Sequence, residues 1–177
     1  MMINYIDKLP ALLLGDYEYL LRITIGAALG FFIGLNRTHK AKPAGIKTYM
    51  FVSAASTLFT IVSIQAVDVY SELYGNTVMD PMRLAAQIVT GVGFIGAGVI
   101  LKDGNRVVGL TSAAMIFLSG GVGIGIGAGF YSIVIFTVFI TFLFALFGGW
   151  LEKRETQKLK VKTKISLDSR TNNTHSP

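Results

Sequence analysis

Four long stretches of this 177-residue chain, 23–35, 48–67, 84–101 and 107–151, contain no Asp, Glu, Lys, Arg or His. An ionised side chain at the centre of a bilayer costs at least about 2.5–3.5 kcal/mol, so gaps of this length mark segments suited to hydrocarbon. A helix needs roughly 20 mostly apolar residues to cross about 30 Å of it. The last gap has room for two crossings around a tight turn. Charged residues make up 15% of the chain, against roughly a quarter in a soluble domain. The pattern predicts an all-α integral membrane protein with five transmembrane helices, near Tyr19–Leu35, Ile46–Ala66, Arg83–Leu101, Gly109–Gly127 and Phe130–Leu151. Four spans with one re-entrant segment form the alternative.

Charges between the spans predict the direction of threading. Arg37, Lys40, Lys42 and Lys47 follow the first span, Lys102, Asp103 and Arg106 follow the third, and a Lys/Arg-rich tail follows the fifth. Asp7, Asp16 and Glu18 precede the first span, and Asp68, Glu72 and Asp80 sit between the second and third. The positive-inside rule then places the amino terminus outside and the carboxyl terminus in the cytoplasm. Three regions result: a leading, interfacial segment at 1–18, a five-helix domain at 19–151, and a basic cytoplasmic tail at 152–177 that is partly disordered. The start, MMINYIDKLPALLLGDYEYL, lacks the basic opening and long apolar core of a signal peptide. Arg22 lies near a span end, where it can snorkel to the headgroups. In the tail, Leu159, Val161, Thr163 and Ile165 alternate with lysines, a pattern for a strand or an amphipathic anchor on anionic lipid. The net charge of +6 is thus accounted for by topology, and nucleic acid is excluded as a partner.

Glycine is the second signal. Gly26, Gly30 and Gly34 recur every four residues on the first span, the spacing that lets helix backbones approach closely in a membrane. Gly91, Gly93, Gly96 and Gly98 crowd the third span and match G-x-G-x-x-G, but within an apolar run this motif does not bind a dinucleotide. Such crowding predicts either a tight helix crossing or a locally unwound helix, and transporters use unwound helices to hold ions. Asp80-Pro81 reads as a helix cap with Pro in the first turn. Arg83 and Gln87, four apart, share a helix face and suit either an interhelical hydrogen bond or a polar cavity. The remaining polar candidates in or beside the spans are Asn36, Thr48, Ser53, Thr90, Thr111, Ser112 and Ser119.

Three stretches stand out in order: Ile33-Gly34-Leu35-Asn36-Arg37 with Lys42-Pro43-Ala44-Gly45-Ile46-Lys47-Thr48, then Asp80-Pro81 through Arg83-Leu84-Ala85-Ala86-Gln87 into Gly91–Gly98, and Gly109-Leu110-Thr111-Ser112-Ala113-Ala114. Together they resemble the MgtC/SapB family of bacterial inner-membrane proteins. The resemblance implies a multi-pass plasma-membrane protein tied to growth in low magnesium, acting on other membrane proteins rather than as an enzyme. It also implies a short, SapB-like form, because longer members carry a soluble carboxy-terminal domain and this tail is too short for one. Asn36 departs from the Gly-Leu-Glu-Arg that the family shows at the end of the first span.

Two functions compete. One is a non-enzymatic modulator whose partners are the lipid bilayer, other membrane proteins and, as an open option, further copies of itself. The other is a transporter or channel for magnesium or another cation. Magnesium favours oxygen ligands that include carboxylates, and no carboxylate lies within a span. No cofactor is expected, no metal ligands can be named, and the two histidines, His39 and His175, fall in a loop and the tail. A functional site is expected where Asn36, Arg37, Lys47, the Gly91–Gly98 end of the third span (Gly91, Gly93, Gly96 and Gly98) and Thr111 converge at the cytoplasmic end. Asp80 and Arg83 belong to the opposite end. Arg37→Ala or Gly96→Leu is then expected to abolish function and Lys164→Ala to leave it intact.

Overall fold

The computed structural model describes residues 16–35, 43–74 and 80–173. The leading segment at Ile3–Leu14 and the loop carrying Asn36, Arg37, His39, Lys40 and Lys42 lie outside the described residues. Among the described residues there are five helices: α1 (Tyr17–Leu35), α2 (Ile46–Tyr74), α3 (Arg83–Gly98), α4 (Leu110–Gly127) and α5 (Tyr131–Asn173). Four of them are long and apolar enough to cross a membrane: α1, α2 over Ile46–Val67, α4, and α5 over Tyr131–Leu151. The protein is a multi-pass membrane protein.

The third predicted span is where the structure departs from the sequence reading. α3 has 16 residues and so extends only about 24 Å, short of the ~30 Å hydrocarbon thickness. It is not unwound: the helix runs unbroken through Gly91, Gly93 and Gly96. After Gly98 the chain turns out of the helix, with the Val99 and Ile100 N–H groups donating to the Gly96 and Ala97 carbonyls. It then forms an antiparallel hairpin of β1 (Leu101–Asp103) and β2 (Arg106–Val108), in which Leu101 faces Val108 and Asp103 faces Arg106. The fold is thus mostly helical, as the sequence predicts, with a small two-stranded hairpin added among the described residues. Gly104-Asn105, between the paired Asp103 and Arg106, is the two-residue hairpin turn, with Gly104 at φ 57.

Chain direction follows from which residues meet. A Cβ on Gly30 would lie 2.6 Å from the Tyr49 carbonyl oxygen, and one on Gly34 would lie 2.7 Å from Ile46 Cα, so α1 and α2 run antiparallel. Gly123 meets Ser53 and Ser56 while Gly127 meets Thr57 and Thr60, so α2 and α4 run parallel. Gly96 meets Ala113 and Gly120 meets Val92, which makes α3 antiparallel to α4. Helices α1, α2 and α4 pack on one another, and α3 lies mainly against α4 with a lesser contact to α2.

The chain divides into two compact units at Val134–Ile135. In the second, α5 continues as helix beyond its apolar stretch to Asn173, 43 residues from its start. Residues 159–165 are therefore helical rather than a strand. The apolar stretch of α5 closes on Trp150, whose ring stacks on Phe147 and lies 3.8 Å beneath the Arg154 guanidinium. That pairing suits a membrane–water boundary, where an aromatic ring and a cation are both at home.

Candidate functional site

Hydroxyl groups line the interior of the first unit. Ser53, Ser56, Thr57 and Thr60 lie on one face of α2 at helical spacing, and all are buried, as are Ser112 and Ser119 of α4. In a medium without water an unpaired hydroxyl is costly, and several of these find partners, whereas the buried Tyr49 hydroxyl has none among the described residues. Ser53 Oγ donates across the helix pair to the Gly26 carbonyl at 2.7 Å, Thr57 and Thr60 donate back to the Ser53 and Ser56 carbonyls, and Ser119 donates to Met115. Glycine completes the arrangement from the facing helices. A Cβ at Gly123 would come within 2.5 Å of Ser56 Cβ, and one at Gly127 within 2.8 Å of the Thr57 carbonyl oxygen. The α1–α2–α4 interface is closed at the level of the backbone. Ser56, Thr57 and Thr60 are absent from the sequence-derived list of polar candidates, although their spacing with Ser53 could have revealed them.

Arg22 caps this interface. Instead of snorkelling freely, its Nη1 donates to the Gly127 carbonyl at 2.8 Å, satisfying an acceptor in the last turn of α4. Nη2 pairs with Glu18 one turn earlier, and the guanidinium lies 5.8 and 5.9 Å from the Tyr19 and Tyr131 ring centres. Close to it the chain reverses at Gly129, with φ 85.

The third helix presents the contrasting surface. Ala85, Ile88, Val92 and Gly96 form its buried face. Gly91, Gly93 and Gly98 are exposed, with nothing within 4 Å of where a Cβ would stand. Two recesses flank the helix. One, of about 500 Å³, runs between α2 and α3 and is walled by residues including Phe51, Ala55, Phe59, Gln87, Gly91 and Ile95. The other, of about 300 Å³, lies between α3 and α4 and includes Gly93, Gly96, Ala97, Ala113, Ala114 and Phe117. Phe94, 83% exposed, projects from the helix beyond both.

The sequence-predicted residues separate into two ends. Lys47 and Thr111 occupy the first turns of the parallel helices α2 and α4 and are exposed, at the same end as Gly98. Asn36 and Arg37, directly after α1, lie outside the described residues. Gly109, next to Thr111, must be glycine: it holds φ 96 at the N-cap of α4, and a Cβ there would collide with the Val99 carbonyl. At the opposite end, Ser63 Oγ donates to the Pro81 carbonyl at 2.7 Å, tying α2 to the start of α3. Asp80 Oδ1 accepts the Met82 N–H at 2.9 Å, so it closes the turn that enters α3, while the N-cap itself is Met82 without a side-chain cap. Arg83 and Gln87 share an exposed face of α3, and Gln87 borders the α2–α3 recess, with no hydrogen bond to a neighbouring helix among the described residues.

A family model, that of the MgtC family, matches residues 23–154. The chain belongs to the MgtC family. An uncharacterized protein of Haemophilus influenzae is 44% identical over 152 residues, covering 83% of this chain and 63% of that one. Protein SapB of Bacillus subtilis is 39% identical over 160 residues, 88% of this chain and 68% of SapB. A protein of Escherichia coli K12 named putative magnesium transporter YhiD is 41% identical over 127 residues, 71% of this chain and 58% of YhiD. This chain thus spans about three fifths to two thirds of the length of these curated relatives. No solved structure matches it. The stretch shared with the MgtC family takes in the hydroxyl-lined core, α3 with both recesses, and the hairpin.

Proposed function

We propose that this MgtC-family protein is a non-enzymatic, multi-pass protein of the bacterial plasma membrane. It modulates other membrane proteins during adaptation to low magnesium or stress, and its working surface is the outward side of α3. The observation that carries this reading is the contrast between a core closed by glycine and hydroxyl contacts and a helix whose glycines meet nothing. Small residues on a membrane helix admit close approach by another helix, and Gly93, Ala97 and Ala114 beside the exposed Phe94 offer such an approach. The buried polar groups of the core are hydroxyls, several of them donating to backbone carbonyls. They supply no carboxylate of the kind magnesium favours.

Cation transport is the second reading, favoured by the name of the Escherichia coli relative, putative magnesium transporter. Magnesium flux into proteoliposomes with a trapped indicator separates the two. The modulator reading expects flux equal to that of empty vesicles from folded protein. Flux above that level, abolished by Gly96→Leu, overturns it, because a leucine there must push α3 away from Ala113 of α4, now 3.6 Å from the Cβ position at its carbonyl oxygen.

A further inference from the structure

The recess between α2 and α3 carries an inference that is independent of the modulator reading. Its walls are apolar over Phe51, Val52, Ala55 and Phe59 on one side and Leu84, Ile88 and Ile95 on the other, with Gln87 and Ser56 as polar members. One wall belongs to α2, which is long and apolar enough to cross a membrane, and the other to α3 packed beside it, so an apolar recess between them suits lipid. Along α3 it runs from Leu84 to Ile95, about 16 Å of helix and close to the ~15 Å depth of one leaflet's hydrocarbon. The polar groups occur in the order of a phospholipid's own depth profile. Gln87, one turn inside the mouth, offers an amide at the level of the ester carbonyls. One further turn out on the same face stands Arg83, exposed and without a hydrogen bond or ion pair among the described residues. The neighbouring carboxylate, Asp80, is engaged at one oxygen by the Met82 N–H. The Ser63–Pro81 hydrogen bond ties α2 to the start of α3 at this end.

We infer that the α2–α3 recess is a phospholipid site: one acyl chain lies along Ala55, Ile88 and Gly91, the amide of Gln87 donates to an ester carbonyl, and Arg83 holds the phosphate. Arginine suits this place because its guanidinium presents two parallel donors to phosphate oxygens.

The test uses the full chain in phosphatidylcholine vesicles containing a trace of phosphatidylglycerol with a diazirine on its acyl chain, or the matching diacylglycerol, which lacks the phosphate. After irradiation, labelled peptides are mapped by mass spectrometry. The outward α5 stretch around Phe139, Leu143 and Phe144, 52–66% exposed, reports ordinary contact with bulk lipid. The site predicts labelling over Ala55–Phe59 and Gln87–Val92 that exceeds the α5 level and is about five-fold stronger for the phospholipid, the equivalent of roughly 1 kcal/mol for one arginine near lipid phosphate. Arg83→Ala is expected to erase that preference. Gly91→Leu is expected to remove the groove labelling without altering that of α5, and the variant has space to fold because nothing lies within 4 Å of the Gly91 Cβ position. Groove labelling no higher than that of α5, equal for the two lipids, or unchanged by Gly91→Leu overturns the assignment.

Discussion

Glycine serves opposite ends on the two sides of this molecule. On α1 and α4, Gly30, Gly34, Gly123 and Gly127 lie where a methyl group would strike the backbone or Cβ of α2. On α3, Gly91, Gly93 and Gly98 stand where a methyl group would strike nothing. The first set removes side chains so that helices can pack without a hydrophobic driving force, which a lipid solvent does not supply. The second set weakens a helix, each glycine by roughly 0.5–1 kcal/mol relative to alanine, with no packing return inside the chain. A conformational cost with no internal compensation is expected where an outside surface is used.

This comparison can be broken by substitution. The largest effect is expected at Gly30→Val, whose Cβ would be 2.6 Å from the Tyr49 carbonyl oxygen. Overpacking against backbone should destabilise by at least about 3 kcal/mol, so that folded protein is lost on size exclusion in detergent. Arg22→Met comes next. It leaves the Gly127 carbonyl without its charged donor, and a loss of about 1.5–3 kcal/mol is expected in thermal unfolding. Smaller still is Ser53→Ala, which removes the 2.7 Å bond to the Gly26 carbonyl and should cost about 0.6 kcal/mol, the average for interhelical hydrogen bonds in membranes. If Ser53→Ala proves as damaging as Arg22→Met, the hydroxyl ladder rather than the arginine cap holds the core.

Much of this was legible in the sequence, for physical reasons that can be named. Charge-free stretches announced α1, α2, α4 and the apolar part of α5, because hydrocarbon excludes ionised groups regardless of tertiary context. The four-residue spacing of Gly26, Gly30 and Gly34 pointed to the face that meets α2, since helix geometry alone puts those positions in line. The end of α3 was harder to see. Val99, Ile100 and Leu101 prolong its apolar run, so hydropathy carried the expected span to Leu101, whereas β-branched residues and the Gly104-Asn105 turn draw the chain into a hairpin. The glycine cluster of α3 was also ambiguous, because propensity cannot tell a helix that unwinds from one that its neighbours hold intact. Arg22 looked like a residue reaching for headgroups, and its partner, the Gly127 carbonyl 105 positions away, leaves no mark on a local pattern.

The contrast between the two sets of glycines is tested most directly by adding one methyl group to each. Gly123→Ala and Gly93→Ala should be compared by thermal unfolding of the purified protein in the same detergent. At Gly123 the new Cβ would be 2.5 Å from Ser56 Cβ and 3.0 Å from the Thr57 nitrogen, while at Gly93 it would have no neighbour within 4 Å. A closed core and an open α3 predict a clear fall in melting temperature for Gly123→Ala, with Gly93→Ala unchanged or slightly higher because alanine favours the helix. Equal falls in the two variants, or a larger fall at Gly93, would contradict it.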